Sequence, residues 1–295
     1  MTPPAPAEPY PSNTLTPTAP QRPRTLVLGC GWLGLPLAHS LLANGCQVAG
    51  TTTSPEQLDA LRADGIDAHL LRLGPDFTSA DEARLLSLLR RTDVLVLNVP
   101  PRAAAAGAYP LLLRPVHHAV AAAGTPHVLF VSSTGVYPDE PRLMRESDAL
   151  STRDAASDVL RTEGHFVPRY GQWQSTVVRL GGLIGPDRAP GRFLAGRQNL
   201  PNGSAPVNLL HLTDAVGVLA AIIQHEVWGH TLNVCADTHP LRRDFYPAAA
   251  RYLGLEAPTF IPDETGGKIV DSSLLRSLVP YSFQHDDVMA ALAAC

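Results

Sequence analysis

Lysine occurs once in the 295 residues, at position 268, and cysteine four times, as Cys30, Cys46, Cys235 and Cys295. The cysteines are far apart, with no C-x-x-C spacing and no histidine pair beside them. That excludes a recognisable zinc site and a disulfide framework, and reduced thiols in a cytoplasmic protein are the simplest reading. Lys and Arg form no cluster and the formal net charge is −4, so there is no basic footprint for nucleic acid. Long apolar runs are missing too. The Ala-rich stretch 103–123 is broken by Tyr109, Pro110, Arg114, Pro115, His117 and His118, and nothing reaches the roughly 18 uninterrupted apolar residues of a membrane span. Residues 1–23 are mostly Pro, Thr, Ala and Ser with no apolar core or basic start, which reads as a disordered tail and not a signal peptide. The adjacent His117 and His118 have no third ligand in view; they read as one surface and one packed histidine, with no metal.

What is present is enough apolar sequence, 45%, to bury a core in one large α/β domain or a main domain with a smaller appendage. The chain is organised around Leu26-Val-Leu-Gly29-Cys30-Gly31-Trp32-Leu33-Gly34-Leu-Pro36. Apolar residues run into three glycines, and Leu37, Ala38, Leu41 and Leu42 follow at helical spacing up to Asn44-Gly45. The order strand, tight turn, helix carries the spacing G-x-G-x-x-G. In that fingerprint the first glycine makes the turn, the second lets a pyrophosphate approach the backbone, and the third lets helix pack on strand. Free N–H groups at the helix start then favour phosphate. A purely structural glycine turn is the alternative.

Gln47–Thr51 reads as a second parallel strand. An NAD-preferring site usually places Asp or Glu at its end to hold the ribose 2′-OH. This chain has Thr51-Thr52-Thr53-Ser54, which favours NADP over NAD, with the hydroxyls and the start of the next helix (55–63) receiving a 2′-phosphate. A Ser/Thr cap for that helix is the other use of the same residues. Further strands are expected at 68–73, 93–99 and 127–133 and helices at 81–91 and 109–123. The alternation predicts a parallel, doubly wound sheet. Ligands in such sheets bind at the carboxyl ends of the strands. That edge carries the glycine turn (Gly29, Cys30, Gly31, Trp32, Leu33, Gly34), Thr51 to Ser54, Arg72, Asn98, Val99, Pro100 and Ser132 as cofactor-binding candidates. A sixth strand is expected at 175–180, and helices at 212–224, 241–253 and 272–278. His211 and Asp214 read as structural anchors at a helix start, with Thr213 or Asp214 as its cap.

Val131-Ser-Ser-Thr-Gly-Val-Tyr-Pro, Val178-Arg179-Leu-Gly-Gly-Leu-Ile-Gly185-Pro186, Val207-Asn208-Leu-Leu-His211-Leu-Thr-Asp214-Ala, Gly229-His-Thr-Leu-Asn233-Val and Gly267-Lys268-Ile-Val-Asp271 follow the glycine turn in that order. Together they resemble extended short-chain dehydrogenase/reductases of the NAD-dependent epimerase/dehydratase family, over nearly everything after residue 24. The resemblance implies an α/β Rossmann-type domain at 24–180. It also implies a mixed segment at 181–295 that partly completes the sheet and partly builds a small substrate-binding domain. A nicotinamide cofactor, a small-molecule substrate of carbonyl or nucleotide-sugar type and, as an option, a homodimer through two helices of the main domain come with it. Ser133, Arg179, Arg192 and Asn208 are then substrate-binding candidates, and Thr134, a catalytic candidate, matches the family's strand-end Ser/Thr, which helps hold the substrate.

The family's acid/base, a Tyr with a Lys four residues later, should fall in the segment 154–166, which contains neither. Glu264 stands four residues before the single lysine, so no Tyr-x-x-x-Lys exists anywhere in the chain. Three readings follow. The protein is a reductase, epimerase or dehydratase with a relocated acid, for which Tyr137 beside Thr134 is the nearest phenol and Arg179 or Arg192 the positive charge. Or it binds NADP without turnover, as a redox-sensing or regulatory module. Or its fold is a structural remnant. Tyr137 has a second reading as an aromatic lid packed on the core.

Overall fold

A computed structural model describes residues 22–167, 173–262 and 266–295. Nearly all of the tail expected at 1–23 lies outside them. The chain in order forms β1 (Arg24–Leu28), α1 (Gly34–Ala43), β2 (Gln47–Thr52), α2 (Leu58–Ala63), β3 (Asp67–Leu70), α3 (Ser79–Leu89), β4 (Val94–Leu97), α4 (Tyr109–Ala123) and β5 (His127–Ser133). It continues with β6 (Leu143–Met144), α5 (Asp158–Phe166), β7 (Gln174–Leu180), β8 (Gly182–Ile184), α6 (Gly191–Leu194), β9 (Leu209–His211), α7 (Leu212–Gln224), β10 (Thr231–Val234), α8 (Arg242–Tyr252), β11 (Ile269–Val270) and α9 (Ser273–Leu278).

Seven strands form one sheet in the order β10-β7-β5-β4-β1-β2-β3, every neighbouring pair parallel. This is the parallel, doubly wound sheet expected from the alternation of elements, and the Rossmann-type α/β architecture that the resemblance implied. Val94 to Leu97 of β4 are all buried, because α1 and α7 cover one face of the sheet while α3, α4 and α5 cover the other. Two short parallel pairs, β8 with β9 and β6 with β11, stand apart from this sheet. Strand order reverses between β1 and β4, whose registers run Thr25 opposite Val94 to Leu28 opposite Leu97. Connections leave these two strands in opposite directions, which opens a crevice beyond their carboxyl ends.

Two expected boundaries moved for identifiable reasons. The helix expected at 81–91 starts at Ser79, because Thr78 and Asp81 close a reciprocal capping box. The helix expected at 55–63 opens as a 3₁₀ turn over Pro55–Gln57 and becomes α-helical only at Leu58.

Candidate functional site

β1 hands the chain to Gly29, whose φ of +108° lies where residues with a side chain are strained. A Cβ on Gly29 would lie 2.5 Å from the Asn98 carbonyl oxygen, and one on Gly34 would lie 2.0 Å from the Gly29 carbonyl oxygen. Both glycines are therefore required by the packing of α1 against β1 and β4. Gly31 differs, since a Cβ there meets nothing within 4 Å. The fold does not need this glycine; it leaves a cradle of open backbone at the start of α1.

The turn is braced from both flanking strands. The Gly29 N–H donates to Thr51 Oγ1 at 3.0 Å, the Cys30 N–H to the Thr51 carbonyl at 2.8 Å, and Asn98 Nδ2 to the Gly29 carbonyl at 2.9 Å. Thr51 and Asn98 thus shape the site, with their polar atoms turned to the turn itself. Burial pushes the Cys30 thiol up to about 11, so it stays protonated at neutral pH.

At the end of β2, Thr52 Oγ1 donates to Gln57 Oε1 at 2.7 Å and accepts the Ser54 N–H at 3.1 Å, while Thr53 is exposed. Arg72, also exposed, reaches back to donate to the Thr53 carbonyl at 3.1 Å. The hydroxyl run contains no arginine, but the tertiary fold brings one to its end. Beyond β4, Pro100 is exposed and the Val99 carbonyl accepts the Tyr109 hydroxyl at 2.6 Å.

The end of β5 departs from expectation. Ser133 is exposed, its Oγ accepting the Gly135 N–H at 3.1 Å, whereas Thr134 and Tyr137 are buried. The Tyr137 hydroxyl donates to Asn233 Oδ1 at 2.6 Å and accepts from Arg179 Nη1 at 2.8 Å. Burial raises the pKa of this phenol, with Arg179 and Asn233 opposing. Arg179 is fully buried and paired with Glu163 of α5 at 2.8 Å. It also donates to the Glu146 and Ala149 carbonyls and to Ser151 Oγ. Ser132 gives its hydroxyl to Glu163 at 2.5 Å. Ser132, Tyr137 and Arg179, expected as a cofactor contact, a relocated acid and a substrate contact, instead form one interior network. Tyr137 is its aromatic member, closer to the packed lid than to a relocated acid.

Asn208 is likewise engaged within the fold, Nδ2 donating to the Lys268 carbonyl at 2.9 Å and Oδ1 accepting the Val270 N–H at 2.8 Å. Arg192 is exposed on α6. The single lysine is half-buried and donates from Nζ to the Tyr137 carbonyl at 2.9 Å, behind the β5 turn. Neither this placement nor the role of Glu163 had a signal in the sequence, since both arise from contacts between distant segments.

His211 caps α7 itself, Nδ1 accepting the Thr213 N–H at 3.2 Å, and its Nε2 meets the Ala294 carbonyl at 3.1 Å. Asp214 is fully buried and accepts from Tyr281 Oη and from the Gln284 and His285 N–H groups, which ties the C-terminal segment to α7. Among the described residues no group of three or more His, Cys, Asp or Glu is placed to hold a metal ion, and no helix is long and apolar enough to cross a membrane.

No protein-family model matches the chain. It is 36% identical over 268 residues to protein YeeZ of Escherichia coli strain K12, covering 90% of this chain and 97% of that protein. A functionally unknown conserved protein from Silicibacter pomeroyi superposes with a TM-score of 0.71 at 23% identity, over 92% of this chain and 97% of the other. UDP-glucuronic acid 4-epimerase from Bacillus cereus, solved in complex with NAD, superposes with a TM-score of 0.68 at 16% identity, over 92% and 96%.

Proposed function

We propose, for a chain that belongs to the family of Escherichia coli YeeZ, that it binds a nicotinamide dinucleotide across the carboxyl ends of β1, β2 and β4. We propose further that it acts on a small carbonyl or nucleotide-sugar-type substrate in epimerase/dehydratase-like or reductase-like fashion. One observation carries the reading. Gly31 leaves open space at a helix start where the fold itself has no use for a glycine, and that is the cradle a pyrophosphate needs. The fold shared with a nucleotide-sugar epimerase solved with NAD supports it.

In this reading the backbone of Gly29, Cys30, Gly31, Trp32, Leu33 and Gly34 holds the pyrophosphate. Thr53, Ser54 and Arg72 take an adenosine 2′-phosphate, so NADP is preferred over NAD; no carboxylate stands at the end of β2 to repel that group. Val99 and Pro100 line the path onward. When bound, the dinucleotide supplies the donor or acceptor of hydride. Ser133, a substrate-binding candidate from the sequence, is the exposed hydroxyl at the strand end and holds the substrate's carbonyl oxygen, while Thr134 is buried. Arg192 offers its guanidinium to an anionic part of the substrate.

A second reading, a dinucleotide-binding sensor without turnover, is favoured by the burial of Tyr137 and its engagement with Asn233 and Arg179. Fluorescence titration with NADPH and NADH tests the first claim: NADPH binds more tightly, and absence of binding by either overturns it. Incubation with a panel of sugar nucleotides, aldehydes and ketones separates enzyme from sensor: a reductase consumes NADPH, a redox-neutral epimerase or dehydratase converts the sugar nucleotide with the cofactor regenerated, and a sensor leaves both substrate and NADPH unchanged.

A further inference from the structure

Arg188 sits half-buried beside the glycine turn, its guanidinium carbon 5.4 Å from the centre of the Trp32 ring. That ring is itself fixed. The indole N–H donates to the Pro186 carbonyl at 2.8 Å, and Gly185 leaves the ring edge room that a Cβ would narrow to 3.4 Å. The arginine is positioned by a tight turn in which its N–H donates to the Gly185 carbonyl at 2.9 Å and Asp187 adopts a φ of +62°. A guanidinium stacked on an aromatic face keeps its fork of N–H donors free for a planar or tetrahedral anion.

No carboxylate answers it. Among the described residues neither Arg188 nor Arg102 enters an ion pair, Asp187 next door included. Arg102 lies on the 3₁₀ turn Pro101–Ala103, four residues beyond the Asn98 that braces Gly29. Burial lowers the pKa of Arg188, and the like charge of Arg102 acts in the same direction. An anion bound at Arg188 and shared with Arg102 offsets this like-charge effect.

We propose that Arg188 and Arg102, backed by the Trp32 ring, form a two-arginine clamp for a phosphate-type anion lying across the open side of Gly31. The dinucleotide reading of the glycine turn supplies one source, the pyrophosphate of the cofactor. The diphosphate of a nucleotide sugar has the same chemistry and is the other source.

The test follows intrinsic tryptophan fluorescence of the full chain during separate titrations with inorganic pyrophosphate, NADPH and UDP-glucose. Wild type, Arg188→Gln, Arg102→Gln and Arg188→Lys are compared, with Trp32→Phe to identify the reporting ring and thermal melting to confirm folding. Pyrophosphate is expected to give a saturable signal that weakens by about tenfold in Arg188→Gln, the loss of a charge-assisted contact, and is partly restored in Arg188→Lys. If the clamp closes on the cofactor, NADPH weakens in parallel. If it closes on a nucleotide sugar, NADPH is unchanged and UDP-glucose weakens. Pyrophosphate binding without NADPH binding in wild type leaves the clamp standing and removes the dinucleotide reading. Wild type binding none of the three, or Arg188→Gln binding all of them as wild type does, overturns the clamp.

Discussion

Glu163 Oε2 and Arg179 Nη2 meet at 2.8 Å with neither side chain exposed. The pair joins α5 to β7, and its remaining donors and acceptors are met by Ser132, Ser151, Tyr137 and the Glu146 and Ala149 carbonyls. Such a network rigidifies only while it is complete. Removing one partner strands a buried charge, at a cost of about 3–5 kcal/mol. Glu163→Gln should therefore lower the urea-unfolding free energy by about that much. The double variant Glu163→Gln/Arg179→Gln should lose clearly less than the sum of the two single changes. Additive losses would show that the two groups do not act as a pair.

Gly31 and Gly34 of the turn should separate in their response to alanine. Gly31→Ala adds a Cβ into open space, so its melting temperature should match wild type while NADPH affinity falls at least about tenfold through lost approach to the backbone. Gly34→Ala forces a methyl to within 2.0 Å of a carbonyl oxygen, so it should destabilise the fold by about 1–3 kcal/mol or more. Equal effects of both changes on stability, with binding retained in Gly31→Ala, would make the whole turn merely structural.

Much of the fold was legible because the signals were local. The apolar run from Leu26 to Leu28 followed by spaced glycines, and the buried run Val94 to Leu97, each sit in one element and need no partner to be read. The expected helix at 109–123 appears as α4 with those limits because Pro110 starts it and Gly124 ends it in the left-handed region. The site was less legible. Whether Ser133 or Thr134 faces outward depends on the exact turn after β5, and whether Arg179 is a ligand or a core residue depends on Glu163, 16 residues away. A strand-end polar residue looks the same in sequence whether it faces a cleft or a buried carboxylate. Arg72 was legible as a strand-end residue just beyond β3, whereas Arg188 reaches Trp32 of the glycine turn from far along the chain, and no spacing rule connects it to that turn.

Tyr137 and Ser133 can be told apart by what each loses. Tyr137→Phe removes a buried hydroxyl that serves both Asn233 and Arg179 and leaves those groups short of a partner, so it should cost about 1–3 kcal/mol of stability with NADPH binding intact. Ser133→Ala changes an exposed group whose Oγ accepts only a local N–H, so it should leave stability within about 0.5 kcal/mol. On any substrate that supports NADPH consumption, turnover should then fall in Ser133→Ala and persist in folded Tyr137→Phe. The reverse pattern would restore Tyr137 as the acid.

His117 makes stability sensitive to acid. Its ring packs edge-on against His165, Phe166 and Trp173 at centroid distances of 5.6, 5.8 and 5.8 Å. Burial, followed by the charges of His165, Arg153 and His118, pushes its pKa down to about 4. The unfolded chain binds a proton here near the usual value of about 6.5, so between about 6.5 and 4 the unfolded state holds more protons than the folded one. Stability is therefore fully present above about pH 6.5 and falls as the pH drops toward 4. The full shift would correspond to about 3 kcal/mol, but the ring is only half-buried, and solvent screening reduces this to about 1 kcal/mol. Urea unfolding at pH 7 and at pH 4.5 should show His117→Gln losing about 1 kcal/mol less than wild type on acidification. His165, also lowered by burial and by the neighbouring Arg153 and His118, should retain part of the remaining slope. An acid sensitivity unchanged by His117→Gln would assign the effect to other groups.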